Sequence, residues 1–92
     1  MIHALMINAK DSVAVVTANV KKGTLVSCGD NDSLVITAID DIPVYHKIAI
    51  KDIEKGEKVL KYGCPIGEAT EAIAAGSHVH SHNMVSPDGK ER

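Results

Sequence analysis

Ile53-Glu54-Lys55-Gly56-Glu57-Lys58-Val59 runs apolar residue, two variable residues, glycine, two variable residues, valine. The same frame recurs at Val20-Lys21-Lys22-Gly23-Thr24-Leu25-Val26 and at Ile73-Ala74-Ala75-Gly76-Ser77-His78-Val79. Ile42-Pro43-Val44-Tyr45-His46-Lys47-Ile48 fits it with Tyr in place of Gly. Physically, an apolar anchor leads into a turn, glycine supplies a positive φ, and the next strand enters the core. Turn-then-strand grammar recurs in any small β protein, so the echo implies a compact β fold and no more. Its unequal intervals exclude a solenoid.

Working outward, residues 2–7, 13–17, 24–28 and 34–39 are rich in β-branched and apolar side chains and read as strands. They are separated by Asn8-Ala9-Lys10-Asp11, Lys21-Lys22-Gly23 and Gly29-Asp30-Asn31-Asp32, which hold the Gly, Asn and Asp that tight turns use. Further strands are expected at 46–50, 58–61 and 77–82. Ile50-Lys51-Asp52-Ile53 suits a helical turn. Residues 68–75 hold good helix formers but end at Gly76, and read as part strand, part turn. Residues 86–92 are polar and turn-like, so the chain divides into a domain over 1–85 and a flexible polar tail over 86–92.

Ninety-two residues allow one domain. With no Phe, no Trp and two Tyr, the core must be built from Val, Ile, Leu and Ala. So small a core gains from association, whether with a partner or with a second copy. A formal net charge of −2 with mixed signs argues against a nucleic-acid binder. No apolar stretch is long enough for a membrane span, and Met1-Ile2-His3-Ala4-Leu5 lacks the plan of a secretory signal. Cys28 and Cys64 do not form a close pair and read as buried free thiols of a cytoplasmic protein.

Three clusters carry chemistry. In Gly76-Ser77-His78-Val79-His80-Ser81-His82-Asn83, three histidines occupy alternate positions. On a strand, His78, His80 and His82 would project from one face. Three imidazoles on one ridge can bind a metal, grip a carboxylate or pass protons near neutral pH. One histidine on a polar edge strand is usually incidental; three in register before Asn83 favour function. Second, His46 and Lys47 stand at a strand mouth, where lysine suits a substrate carboxylate and histidine a neutral-pH acid or base. Taken alone, that pair reads as a solvated lysine beside a half-buried histidine. Third, two glycines and a proline in Gly63-Cys64-Pro65-Ile66-Gly67 force a defined turn that would present Lys61 and Tyr62. An ordinary strand-ending turn with Tyr62 at the core rim fits equally well. The glycine spacing matches neither a phosphate loop nor a dinucleotide fingerprint. Asp40, Asp41 and Glu68 are candidate carboxylate partners of the histidines. Cys64 has no evident activating base, and no Ser-His-Asp or Cys-His constellation can be assembled. A complete active site does not arise from this chain, which points to a partner supplying the rest.

The run from Asp41 to Asn83 resembles the N-terminal domain of the altronate and galactarate dehydratase family. Its small β-clip domain, the SAF domain, is shared with sialic acid synthases and type III antifreeze proteins. The matching residues are Asp41-Ile42-Pro43, His46-Lys47-Ile48-Ala49, Asp52-Ile53, Lys55-Gly56-Glu57, Val59, Lys61-Tyr62-Gly63, Pro65-Ile66-Gly67, Ala69-Thr70, Ile73, Gly76, His78-Val79-His80 and His82-Asn83. Asp11-Ser12-Val13-Ala14-Val15 and Lys22-Gly23 fit the family's opening strands. Tyr45 departs from it, standing where the family usually has Gly.

The resemblance implies a mostly β, β-clip (SAF-type) fold of short strands with one or two short helical turns. It implies a small subunit, or excised N-terminal domain, of a sugar-acid dehydratase-like lyase, binding a hydroxy acid at a site shared with a large catalytic subunit. His78, His80 and His82 would be catalytic, or candidate metal ligands. His46, Lys47, Lys61, Tyr62 and Asn83 would bind substrate. A divalent metal, iron or manganese or else zinc, would be held mainly by the partner. A sulfolactate sulfo-lyase small subunit, a non-catalytic specificity or docking module, and an independent metal-binding module are the alternatives. An antifreeze role does not suit an edge rich in histidine and lysine.

Overall fold

In a computed structural model, which describes residues 2–5, 11–28, 34–61 and 63–85, the four frames are the organising element of the chain. Their anchors pair two by two. Val20 and Ile42 exchange both backbone hydrogen bonds at 2.8 Å, and Ile53 and Ile73 exchange theirs at 2.7 and 2.8 Å. The fourth residue of each frame has positive φ: Gly23 at 91°, Tyr45 at 67°, Gly56 at 86° and Gly76 at 93°. Its N–H donates to the residue four before the partner anchor. Gly23 thus reaches Ala38, Tyr45 reaches Val16, Gly56 reaches Ala69 and Gly76 reaches Ala49, at 2.7 to 2.9 Å.

A side chain just ahead of three anchors completes the pattern. Asn19 Oδ1 accepts from the Val44 N–H, Asp41 Oδ1 from Lys22 and Asp52 Oδ1 from Ala75, at 2.8 to 2.9 Å. These short polar side chains satisfy turn donors that would otherwise depend on water. Ala72, ahead of Ile73, has no such acceptor; in the partner frame, Ile53–Val59, Glu57 Oε1 accepts from the Glu54 N–H at 3.0 Å.

The turns hold nine short strands among the described residues, and no helix. They are β1 (Ile2–Leu5), β2 (Val13–Val16), β3 (Leu25–Cys28), β4 (Leu34–Thr37), β5 (Lys47–Ala49), β6 (Lys58–Lys61), β7 (Cys64–Ala69), β8 (His78–Val79) and β9 (Met84–Val85). One sheet has the order β4-β3-β1-β2-β5-β8 and the other β6-β7-β9. The architecture is mostly β and consistent with a β-clip.

Two apolar clusters fill it. Val20 and Ile42 lie in the first with Ala4, Ala14, Val16, Val26, Ile48 and others. Ile53 and Ile73 lie in the second with Val13, Ala49, Val59, Ala69 and Val79. Strands β2 and β5 serve both cores because alternate side chains leave a strand on opposite faces: Ala14 and Ile48 enter the first, Val13 and Ala49 the second. Full burial of one such Ile or Val stabilises the fold by about 1.5–3 kcal/mol. At the junction, buried Ser12 bonds Leu60 through backbone and hydroxyl, and buried Asp11 accepts from the Gly63 N–H at 2.7 Å.

Four expectations are corrected. Residues 50–53 do not form a helical turn, because the N–H and C=O of Ile53 are committed to Ile73 across the clip. Pro65-Ile66-Gly67 lie in β7, the longest strand among the described residues, rather than in a turn; Gly63, with a positive φ of 78°, stands at the reversal before it. Pro65 is tolerated there because β9 pairs only with Glu68 and Ala69, so no neighbour asks Pro65 for an N–H on that side. Gly67 is required by close approach, since a Cβ would overlap the Met84 side chain and the Val85 carbonyl. The expected strand over 77–82 ends at Val79. Finally, Cys28 is buried, with its thiol pushed up to about 11 by burial, whereas Cys64 is exposed. The expected tail over 86–92 and the side chain of Tyr62 lie outside the described residues.

The turn geometry gives a graded test. A Cβ at Gly23 would meet open space, and one at Gly76 would overlap the Thr37 carbonyl oxygen. Gly23→Ala should cost about 1–2 kcal/mol for its left-handed backbone alone. Gly76→Ala should cost at least about 3 kcal/mol, since the backbone of Thr37 and Ile39 must also be pushed away. Urea denaturation of the two variants measures the difference; equal costs would contradict the packing at Gly76.

Candidate functional site: a histidine edge

Strand β5 pairs with β8 so that Lys47 faces Val79 and Ile48 faces His78. Extending that antiparallel register by one residue sets His46 opposite His80, although the two are distant in sequence. Their rings stack with centroids 4.8 Å apart and an interplanar angle of 16°. His46 Nδ1 and His78 Nε2 lie 2.9 Å apart, a hydrogen bond in which one ring donates and the other accepts. The His78 ring also lies 5.7 Å from His80 and 5.4 Å from His82, centroid to centroid. Four imidazoles from two segments therefore form one continuous group at the edge of the larger sheet.

The reason they gather differs from the alternation expected for a strand. His80, Ser81, His82 and Asn83 form a turn, closed by the Asn83 N–H donating to the His80 carbonyl at 3.1 Å. Asn83 shapes that turn from within. Its side chain is 5% exposed; Oδ1 accepts from the His80 N–H, and Nδ2 donates to the His78 carbonyl, both at 3.0 Å. Asn83 was expected to bind substrate; in the structure its amide is buried and holds the backbone of His78 and His80.

Of the candidate carboxylates, Asp40 is the one brought to the histidines. Its Oδ2 accepts from the His78 N–H at 3.0 Å. Asp41 instead caps the Lys22 turn, and Glu68 pairs with Lys58 across the β6–β7 hairpin at 3.3 Å on the surface. Asp40 carried no sequence signal beyond its charge, because its proximity depends on Ile39 donating to the Gly76 carbonyl across the clip.

Lys47 is not part of the histidine group. Consecutive residues of an extended chain point to opposite faces. The charged neighbours of His78 are His46, His82, His80 and Asp40, while that of Lys47 is Lys61. Burial, then the charge of Lys61, lowers the Lys47 pKa from its ordinary 10.5. Lys47 and Lys61, both half-buried, thus lie near enough for Lys61 to disfavour the charge on Lys47. The sequence-predicted residues fall into two groups, four histidines with Asn83 and two lysines.

A metal does not fit the histidines as they are folded. Imidazole lone pairs lie in the ring plane; His80 stacks on His46 at 16° and on His78 at 21°, while His46 and His78, tilted by 36°, turn a ring nitrogen toward each other. Among the described residues no three His, Cys, Asp or Glu side chains are arranged to hold a metal ion. The geometry suits proton exchange and hydrogen bonding to an acid group.

Residues 2–87 match the altronate/galactarate dehydratase SAF domain. The chain belongs to that family. Over 79 residues it is 48% identical to altronate dehydratase of Escherichia coli (strain K12), an alignment covering 86% of this chain and 15% of that protein. It is 30% identical over 86 residues to galactarate dehydratase (L-threo-forming) of the same organism, covering 91% of this chain and again 15% of the relative. It is 38% identical over 81 residues to (2R)-sulfolactate sulfo-lyase subunit alpha of Chromohalobacter salexigens, covering 84% of this chain and 86% of that subunit. This SAF domain thus spans about 15% of the length of the dehydratases it matches.

The titration of His78 has a definite sign. Burial is the largest cause lowering its pKa below the ordinary 6.5, followed by repulsion from His46, His82 and His80, with Asp40 opposing. Below pH 6.5 the unfolded chain therefore binds protons more readily than the folded one, and stability falls as pH falls through that value. The melting temperature should drop as pH falls through about 6.5. His78→Gln should flatten part of that slope; an unchanged slope would contradict the environment described for His78.

Proposed function

We propose that this SAF domain is the accessory part of a sugar-acid dehydratase-like lyase, joined to a large catalytic region or assembled with it as a subunit. The observation that carries this reading is the convergence of His46, His78, His80 and His82 on one edge. A β-elimination from a hydroxy acid needs a base for the α-proton, stabilisation of the enolate that forms, and an acid for the departing hydroxyl. The bond to the α-proton breaks as the proton passes to an acceptor nitrogen. The carbon–oxygen bond then breaks as the hydroxyl takes a proton and leaves as water. Imidazoles that share protons at neutral pH can hold both the acceptor and the donor state.

In this reading His80 and His82, the exposed members, meet substrate together with His46, and His78 sets their position. Lys47, on the opposite face of β5, lies outside this imidazole site. Any divalent metal the reaction requires is held by the catalytic region. The hydroxy-acid substrate is of the altronate or galactarate class, as the 48% identity to an altronate dehydratase supports. A second reading, elimination of sulfite from a sulfonated hydroxy acid in a two-subunit enzyme, draws support from the likeness extending over 86% of a sulfo-lyase alpha subunit.

Co-expression with a large subunit or fused catalytic region, and assay on a panel of hydroxy acids, tests the proposal. His80→Ala and His46→Ala should each cut turnover by about 10²-fold or more, with the domain still folded by circular dichroism. Full turnover in both variants would reduce the domain to a docking module. Release of sulfite, not water, would select the second reading.

A further inference from the structure

Each imidazole has two ring nitrogens, and the hydrogen bond made by one decides what the other can do. In the stacked pair His46 and His80, the same atom is committed in both rings. His46 Nδ1 lies 2.9 Å from His78 Nε2, and His80 Nδ1 lies 3.2 Å from the Ser81 hydroxyl. Among the described residues neither Nε2 makes a hydrogen bond. The stack therefore offers two free nitrogens of one kind, on rings 4.8 Å apart.

On a strand, Ser81 would point away from the histidines on either side of it. The turn over 80–83 instead brings its hydroxyl to the His80 ring. That bond does not build the turn. The backbone is closed by the Asn83 N–H and braced by the Asn83 amide, while Ser81 is exposed and bonds only the ring.

We infer that Ser81 is a positioning residue for His80: its hydroxyl holds Nδ1 and so presents Nε2 as the nitrogen that takes the α-proton of the substrate. This rests on the function proposed above. A neutral ring with its lone pair on Nε2 carries its proton on Nδ1, where it donates to Oγ. In the transfer the carbon–hydrogen bond breaks, its electrons stay with the enolate, and a nitrogen–hydrogen bond forms at Nε2. The ring is then a cation with both nitrogens protonated, and Nδ1 still donates to Oγ. A serine oxygen accepts in both states, so the ring keeps one orientation throughout. Ser81 thus serves His80 as His78 serves His46, by holding Nδ1.

Ser81→Ala removes the hydroxyl and leaves the backbone bonds of the turn in place; Ser81→Thr keeps the hydroxyl. In the full chain alone, imidazole nitrogen NMR reads which nitrogen of His80 is protonated. The wild type should carry the proton on Nδ1, Ser81→Ala should move it toward Nε2, and Ser81→Thr should return it. In the lyase assembled with its large catalytic region, Ser81→Ala should lower kcat by about tenfold, with KM within about twofold of wild type. Ser81→Thr should recover kcat. Wild-type nitrogen signals or wild-type turnover in Ser81→Ala, where His80→Ala is impaired, overturns this inference and leaves the proposed function standing. A threonine variant that fails to restore both signals and kcat shows the serine serving the turn alone, and also overturns it. Full turnover in His80→Ala overturns the proposed function and the role of Ser81 together.

Discussion

The paired backbone exchange between turn anchors, Val20 with Ile42 and Ile53 with Ile73, is the constraint on which the rest of the structure depends. Each exchange fixes where two turns meet, and each anchor side chain is the floor of one apolar cluster. The strands between are two to six residues long and could not hold register by themselves. With the anchors in place, a positive φ at the fourth position of each frame sends that frame's reversal toward its partner's strand. A protein without Phe or Trp can therefore build two small cores that share β2 and β5, in place of one large core it lacks the volume to fill.

The histidine edge is a consequence of the same pairing. Gly76 donates to Ala49, and Ser77 accepts from it, which lays β8 against β5 in the register that brings His80 to His46. The carbonyl of Gly76 also receives Ile39, and so draws Asp40 to the His78 backbone. Asn83 then folds the remaining histidines back on the group. Backbone geometry common to all four frames has thus been given chemical side chains in two of them, His46 in one and His78 in the other.

Much of this was legible in the residues. The frame itself, the strand positions in the first half and the family likeness were all visible in the sequence. The pairing of the frames was not, because anchors about twenty residues apart carry no mark of which partner they choose. The helical turn expected at Ile50–Ile53 followed from local composition, whereas the tertiary bridge to Ile73 decided the outcome. β7 was hidden because Pro65 and Gly67 are strand breakers by type; only the short reach of β9 and its closeness to Gly67 make them acceptable. The alternation of His78, His80 and His82 suggested one strand face, and the rings do cluster, but through a turn that buried Asn83 stabilises. Adjacency in sequence also misled: His46 and Lys47 sit side by side, yet serve different groups.

The central claim is that the histidine edge is the surface completed by a catalytic partner. Amide hydrogen exchange of this chain, alone and with the large catalytic subunit bound, tests it most directly. The account predicts slowed exchange over residues 39–48 and 77–83, with no comparable change in β3. Protection confined to β4 and its neighbours, with the histidine turn exchanging as before, would contradict it.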